Sequence, residues 1–443
     1  MRFKMGVGGP GGLSRRSMLG LMLGATSVRT HGEQASPNTE NKMESSMPLG
    51  SPKTSTVELT CKPTIWRDRR AYVLENDLIR LVTLTGGGHI AEFRFREESG
   101  LSKVNPLWNP PWRGIEPYLY RDDVHAAQYG APPTGQLLSG IVGHNLCLDY
   151  FGGPSEEEAK LGLPIHGEAG ISLWHSMRAE TKGLEAVLEM SVKLPAAGLI
   201  FTREIKIRRG ESVAYFKEDV VNEKRADHFF HWTQHATMGP PFLSHEHSRI
   251  FISATRGRTS PHGYEGKELL ATSQDFQWPN APGAGGTPVD LRRPLSHPGL
   301  GFVATVLMDA GRDHQYVAAL NKPERLLMGY CFDRKDFPWT AIWEENKARA
   351  DAPWNSRSET RGLEFGSTPL PVGRREAFAN GSLFGAPCFS VVPALGRATV
   401  RYLAFLTQVP AGMEDVGDIR PANGEIHVVH STGRIHVPAS GSP

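Results

Sequence analysis

The chain has 443 residues, with 49 Lys plus Arg against 47 Asp plus Glu and a formal net charge of +2. That near balance leaves no basic footprint for nucleic acid or an anionic membrane surface. Its 48 Gly and 33 Pro favour a turn-rich β protein over a helical bundle.

In chain order, the first segment reads as a targeting signal. Arg15-Arg16 precede the apolar run Met18 to Ala25, which is too short to span a bilayer, and small residues follow at Ala25 and Ser27. Residues 1–27 are expected to be a twin-arginine signal peptide, and the polar, Ser/Thr/Pro/Asn-rich residues 28–57 a disordered linker. These features imply a periplasmic or secreted bacterial protein without a membrane anchor. Export would permit disulfides among Cys61, Cys147, Cys331 and Cys388, but their wide spacing shows no C-x-x-C motif and fixes no pairing.

From residue 58 onward strands dominate. "EAVLEMSVKL" (185–194) and "LIFTREIKIRRG" (199–210) place apolar residues on one face with period two, as strands that cover a core on one side do. "ESVAYFKEDVVNE" and "RATVRYLAFLTQV" are further long strands, and "PSEEEAKLG" (154–162) reads as one short helix capped by Ser155. With no internal repeat and no composition shift, residues 58–438 are expected to be a single all-β domain, a large antiparallel β-sandwich with little helix. Residues 439–443 should form a disordered tail.

Four stretches carry candidate chemistry. In "NPLWNPPWRGIEPYLY" (105–120), a proline-rich loop could place Trp108 on the wall of a cleft. In "GLPIHGEAG" (162–170), His166 and Glu168 stand among small residues that allow a ligand close approach, although a loop histidine of this kind is as readily structural. In "VVNEKRADHFFHWTQHATMGPPFL", a strand carries His235 toward a Gly-Pro-Pro turn at the sheet's edge, while His228 and His231 read as packing residues. An imidazole suits acid/base work because its ordinary pKa lies near neutrality. In "PWTAIWEENKARADAPWNSRSETRGLEFGSTPLP" (338–371), Trp343, Glu344, Asn346 and Trp354 combine indole faces with carboxylate and amide groups, as sugar recognition requires. Glu364 sits there in an apolar stretch where a buried carboxylate is costly unless it has a task. "SHEHS" (244–248) offers His245 and His247 on one strand face, too few ligands for a closed metal site.

The order of these motifs resembles the aldose 1-epimerase (galactose mutarotase-like) superfamily. "PIHG" at His166 matches that family's histidine turn, the segment ending in His235 its second histidine, and "GLEFGSTPLP" its C-terminal glutamate, here Glu364. "LENDLIRLVTLTGGGHIAEFRF" is similar to the family's first strands, and the likeness covers most of residues 65 to 410. The "HPYF" type of turn is replaced by "HATMGPPF", and Phe365-Gly366 stand where the family has Pro-Gln. The resemblance implies a β-supersandwich that interconverts sugar anomers, with Glu364 as base, His235 as acid and His166 fixing a hydroxyl or the ring oxygen. As acid, His235 would have to be held protonated, by a nearby carboxylate for instance. Glu168, Trp343, Glu344, Asn346, Trp354 and Trp108 would contact a mono- or oligosaccharide, and neither cofactor nor metal is required. The alternative on the same fold is an exported carbohydrate-binding protein, or a polysaccharide-active lyase or hydrolase without mutarotase activity.

Overall fold

The computed structural model describes residues 58–294 and 297–443. The expected signal peptide and linker lie outside the described residues. Two large sheets face each other. One has thirteen strands, running from Thr60–Trp66 at one edge to Pro288–Asp290 at the other, with His144–Cys147, Thr233–Met238, Glu359–Gly366 and Trp339–Asn346 side by side in its middle. The other has eight, with Ser248–Ile252 and His175–Lys182 as its edges. All named ladders in both sheets are antiparallel, so the sandwich expected from the alternation is the one observed.

Period-two alternation builds the core. Leu199–Arg208 alternates strictly between buried and half-buried positions, and its Phe201, Ile205 and Ile207 join Leu81, Phe93, Ile342, Leu363 and Phe365 of the opposite sheet in one apolar cluster. Across the interface Phe332 stacks on Phe365 with ring centroids 4.5 Å apart. Each such side chain contributes roughly 1.5–3 kcal/mol on burial.

A polar network is set into this apolar layer. Arg203 Nε donates to Glu218 Oε1 at 2.7 Å, both side chains being essentially inaccessible. Glu218 also accepts from Trp232 Nε1 (3.1 Å), Gln234 Nε2 (2.6 Å) and the Tyr402 hydroxyl (2.9 Å). Gln234 Oε1 lies 3.0 Å from His144 Nε2, so the large sheet is tied to the eight-stranded one by satisfied hydrogen bonds.

The short helix forms at Glu156–Lys160 with a full capping box between Ser155 and Glu158. Helices at Asp122–Tyr129, Gly135–Leu138 and Arg374–Asn380 carry no comparable signature. A three-stranded sheet, Asp418–Ala422, Glu425–His430 and Gly433–Pro438, packs Ile419, Ile426, Val428 and Val437 against Val213, Leu403 and Phe405 of the eight-stranded sheet. The chain end corrects the expected free tail: Ala439 is buried, the Ser440 hydroxyl reaches Glu211 Oε1 at 2.5 Å, and the Gly441 amide donates to the Tyr215 hydroxyl at 3.2 Å. The four cysteines are free thiols, and Cys147, Cys331 and Cys388 are buried.

Several histidines are enclosed as neutral rings. Burial pushes His89 and His144 down to about 3 and His166 and His231 to about 4, from an ordinary value of 6.5. A depressed folded pKa contributes stability above the unfolded value and loses it as pH falls toward the folded one. The melting temperature is therefore expected to fall steadily between pH 6.5 and 4, with proton uptake on unfolding at pH 5 seen by calorimetry; a flat profile over that window would contradict the burial of these rings.

Candidate active site

The centre of the large sheet delivers the first pair. His235 and Glu364 are direct cross-strand partners, and Asn145 flanks His235 on the other side. Direct partners project to the same face, and here that is the outer face. His235 Nε2 lies 3.1 Å from Glu364 Oε1, with the two side chains 5% and 2% exposed. His235 Nδ1 is 2.9 Å from the Thr237 hydroxyl. His235 thus stands in mid-strand at the heart of the sheet, not at its edge as the turn-rich sequence after it suggests.

A loop supplies the third group. His166 has a left-handed backbone (φ 66°) and precedes Gly167, also left-handed (φ 78°), which tilts its ring inward. Its amide donates to Gly152 O at 3.1 Å, its carbonyl accepts from Leu148 at 3.1 Å, and its Nδ1 contacts Phe151 O. The imidazoles of His166 and His235 meet edge to face, 5.3 Å between centroids. Behind this loop Asp149 is pinned by His228 Nε2 and Arg374 Nη1, each at 2.7 Å, which hold its carboxyl low despite its burial. His228 and His231 thus have support roles: His231 Nδ1 accepts the Phe151 amide at 3.0 Å.

His166, His235 and Glu364 line a cavity of about 650 Å³. Its other walls are apolar, from Leu137, Leu138, Ile141, Phe151, Ile165 and Val303, and aromatic, from Trp343 and Trp354; Arg349, Glu265 and Asp351 add charge. Trp343 is fixed by a relay in which its Nε1 donates to the Tyr264 hydroxyl (2.8 Å) and that hydroxyl donates to Glu345 Oε2 (2.8 Å). The Arg349 guanidinium lies over the Tyr264, Trp343 and Trp354 rings at 4.9, 5.8 and 5.0 Å. Nothing in the sequence singles out Arg349, which follows the strand in a loop, among the many arginines.

Four expected contact residues do not reach the cavity. Glu344 and Asn346 alternate with Trp343 along one strand and so point to its opposite face. There Glu344 pairs with the buried Arg361, whose Nη1 also donates to Leu291 O at 2.8 Å. Glu168 turns away to accept the amides of Ala196 (3.2 Å) and Ala197 (2.9 Å). Trp108 lies behind the wall, stacked on Trp354 with centroids 6.0 Å apart. His166, His235, Glu364, Trp343 and Trp354 are brought together.

Burial decides the proton inventory. It drives the Glu364 carboxyl well above the ordinary carboxylate range, and it drives His235, with help from neighbouring His166, well below the ordinary imidazole value. Both shifts run toward the neutral forms, a protonated carboxyl beside a singly protonated imidazole. Burial thus works against the imidazolium that the resemblance requires of His235.

Comparison with known proteins bears on the fold. No protein-family model and no curated protein matches the chain. Among solved structures, it is similar to a protein of Klebsiella pneumoniae proposed to be an aldose 1-epimerase, with 16% identity over 78% of this chain and 80% of that one, at a TM-score of 0.53. It is also similar to a galactose mutarotase-like protein of Clostridium acetobutylicum, with 12% identity over 79% of this chain and 99% of that one, at a TM-score of 0.52. The chain has the galactose mutarotase-like fold.

Two substitutions separate site from scaffold. A Cβ on Gly362 would fall 2.1 Å from Glu364 Oε1, the free end of a flexible side chain. Gly362→Ala should leave cooperative melting intact yet displace the carboxylate and move the His235 imidazole resonances in NMR; unchanged resonances would refute that role. Glu344→Ala strands the buried Arg361 charge and should cost roughly 3–5 kcal/mol in denaturant unfolding, far more than a cavity-facing carboxylate would.

Proposed function

We propose that this chain is a carbohydrate-active protein that interconverts the anomers of an aldose by acid/base ring opening. The observation that carries this reading is the 3.1 Å contact of His235 and Glu364 in a cavity walled by indoles. The anomeric hydroxyl and the ring oxygen share one carbon, so the groups serving them need to stand about one hydrogen bond apart. Indole faces accept the apolar faces of a pyranose.

The proton starts on Glu364. His235 Nε2 takes the proton of the anomeric hydroxyl while Glu364 gives its proton to the ring oxygen; the C1–ring oxygen bond breaks as the C1 carbonyl forms. Rotation about C1–C2 offers the other face of the aldehyde. On closure the ring hydroxyl returns its proton to Glu364, and His235 returns the other to the new anomeric oxygen. This reverses the roles implied by the resemblance, while the residues are the same. His166, with Nδ1 engaged by Phe151 O, directs Nε2 at a substrate hydroxyl. The twin-arginine-like motif at Arg15-Arg16 supports export of the protein that carries this activity.

A second reading, an oligosaccharide ligand, is favoured by a neighbouring hollow of about 390 Å³ that includes Trp66 and Trp112 and shares Ile141 with the main cavity.

His235→Ala and Glu364→Gln should each slow anomer exchange on an aldose used by the wild type by about 10²–10⁴-fold, measured by NMR exchange spectroscopy with circular dichroism confirming the fold. Full activity in both variants would overturn the mechanism. Wild-type binding of oligosaccharides without anomer exchange would favour the second reading.

A further inference from the structure

The three-stranded C-terminal sheet carries a cluster that the acid/base site does not use. His427 and His436 are direct cross-strand partners, and Glu425 stands two residues before His427 on the same strand. Ile426, Val428 and Val437 face the interior, so strand alternation turns Glu425, His427 and His436 to the outer face. There one carboxylate oxygen serves both rings: Glu425 Oε2 lies 3.2 Å from His427 Nε2 and 2.6 Å from His436 Nδ1. One ligand atom from each residue falls within 4.8 Å of the others. A tetrahedral zinc ion with bonds of about 2.1 Å holds its donors about 3.4 Å apart, so small side-chain rotations bring all three to one ion.

We propose that Glu425, His427 and His436 bind a borderline divalent transition-metal ion of the zinc class. Two imidazoles and one carboxylate match zinc, nickel and copper, and are poor ligands for magnesium or calcium, which take oxygen. The exposure of the carboxylate (39%) and of His436 (51%) leaves the remaining coordination positions to water. Arg420, the partner of His427 on the third strand, is exposed and adds a solvent-screened repulsion that limits affinity. The ion joins the last two strands of the chain, so it stabilises the C-terminal hairpin and takes no part in ring opening. The histidine pair that the sequence offered for a metal goes elsewhere: His245 Nδ1 is engaged by Pro294 O at 2.9 Å, and His247 lies beside Glu246.

The test uses the full chain stripped with a chelator and titrated with zinc ion by calorimetry at neutral pH. The expected result is one ion per chain at micromolar affinity and a higher melting temperature with zinc. His436→Ala and His427→Ala should each weaken binding at least tenfold and abolish the melting shift. His436 is half exposed, so its variant reports on binding even if His427→Ala unfolds. Absence of saturable binding at millimolar zinc, or equal affinity in wild type and His436→Ala, would overturn the proposal.

Discussion

One strand, Thr233–Met238, faces two chemistries, and the rest of the site depends on its register. Gln234 points into the layer between the sheets, where Glu218 and His144 hold it. His235, one residue on, points to the outer face and meets Glu364. A slip of one residue would exchange the two faces, burying the imidazole among the apolar rings and exposing the amide. The inter-sheet polar network therefore does more than satisfy its own hydrogen bonds. It fixes which residue of this strand the cavity receives.

The same sheet explains why burial favours the neutral forms of His235 and Glu364. Its members stand in the middle of thirteen strands, with the Trp343 and Trp354 indoles and Phe151 around them. An isolated charge there would lose its hydration without gaining a compensating network, so the carboxyl keeps its proton and the imidazole stays neutral. Arg203 and Glu218 meet the same difficulty differently, as an ion pair whose remaining polar atoms are supplied with partners. Of these two buried carboxyl groups, one has a guanidinium beside it and the other an imidazole.

Much of this was legible in the sequence because period two is a strong signal. The alternation in 185–194 and 199–210 announced strands with one face on a core, and Ser155 with Glu158 announced a helix start. Glu364 could be chosen because a carboxylate is costly in its apolar stretch, His166 because it stands among small residues, and His235 because its strand runs into a Gly-Pro-Pro turn. The same period, applied to Trp339–Asn346, would have shown that Trp343 and Glu344 cannot share a face; composition alone grouped them. Glu168 was hidden by partners that are backbone amides, which no side-chain pattern reveals. Arg349 lies in a loop against the Tyr264, Trp343 and Trp354 rings, and the helices at 122–129 and 374–380 have no side-chain cap to announce them. The C-terminal sheet gave little warning because its strands are short and its outer face is polar.

The most direct test concerns whether the proton exchanged between Glu364 and His235 resides on the carboxyl or on the imidazole. Infrared difference spectra of wild type against Glu364→Gln, with ¹⁵N NMR of His235, would read both partners at neutral pH. The structure predicts a protonated carboxyl band that disappears in the variant and an imidazole with one protonated nitrogen, the one facing Thr237. A carboxylate band with a doubly protonated His235 ring would contradict it.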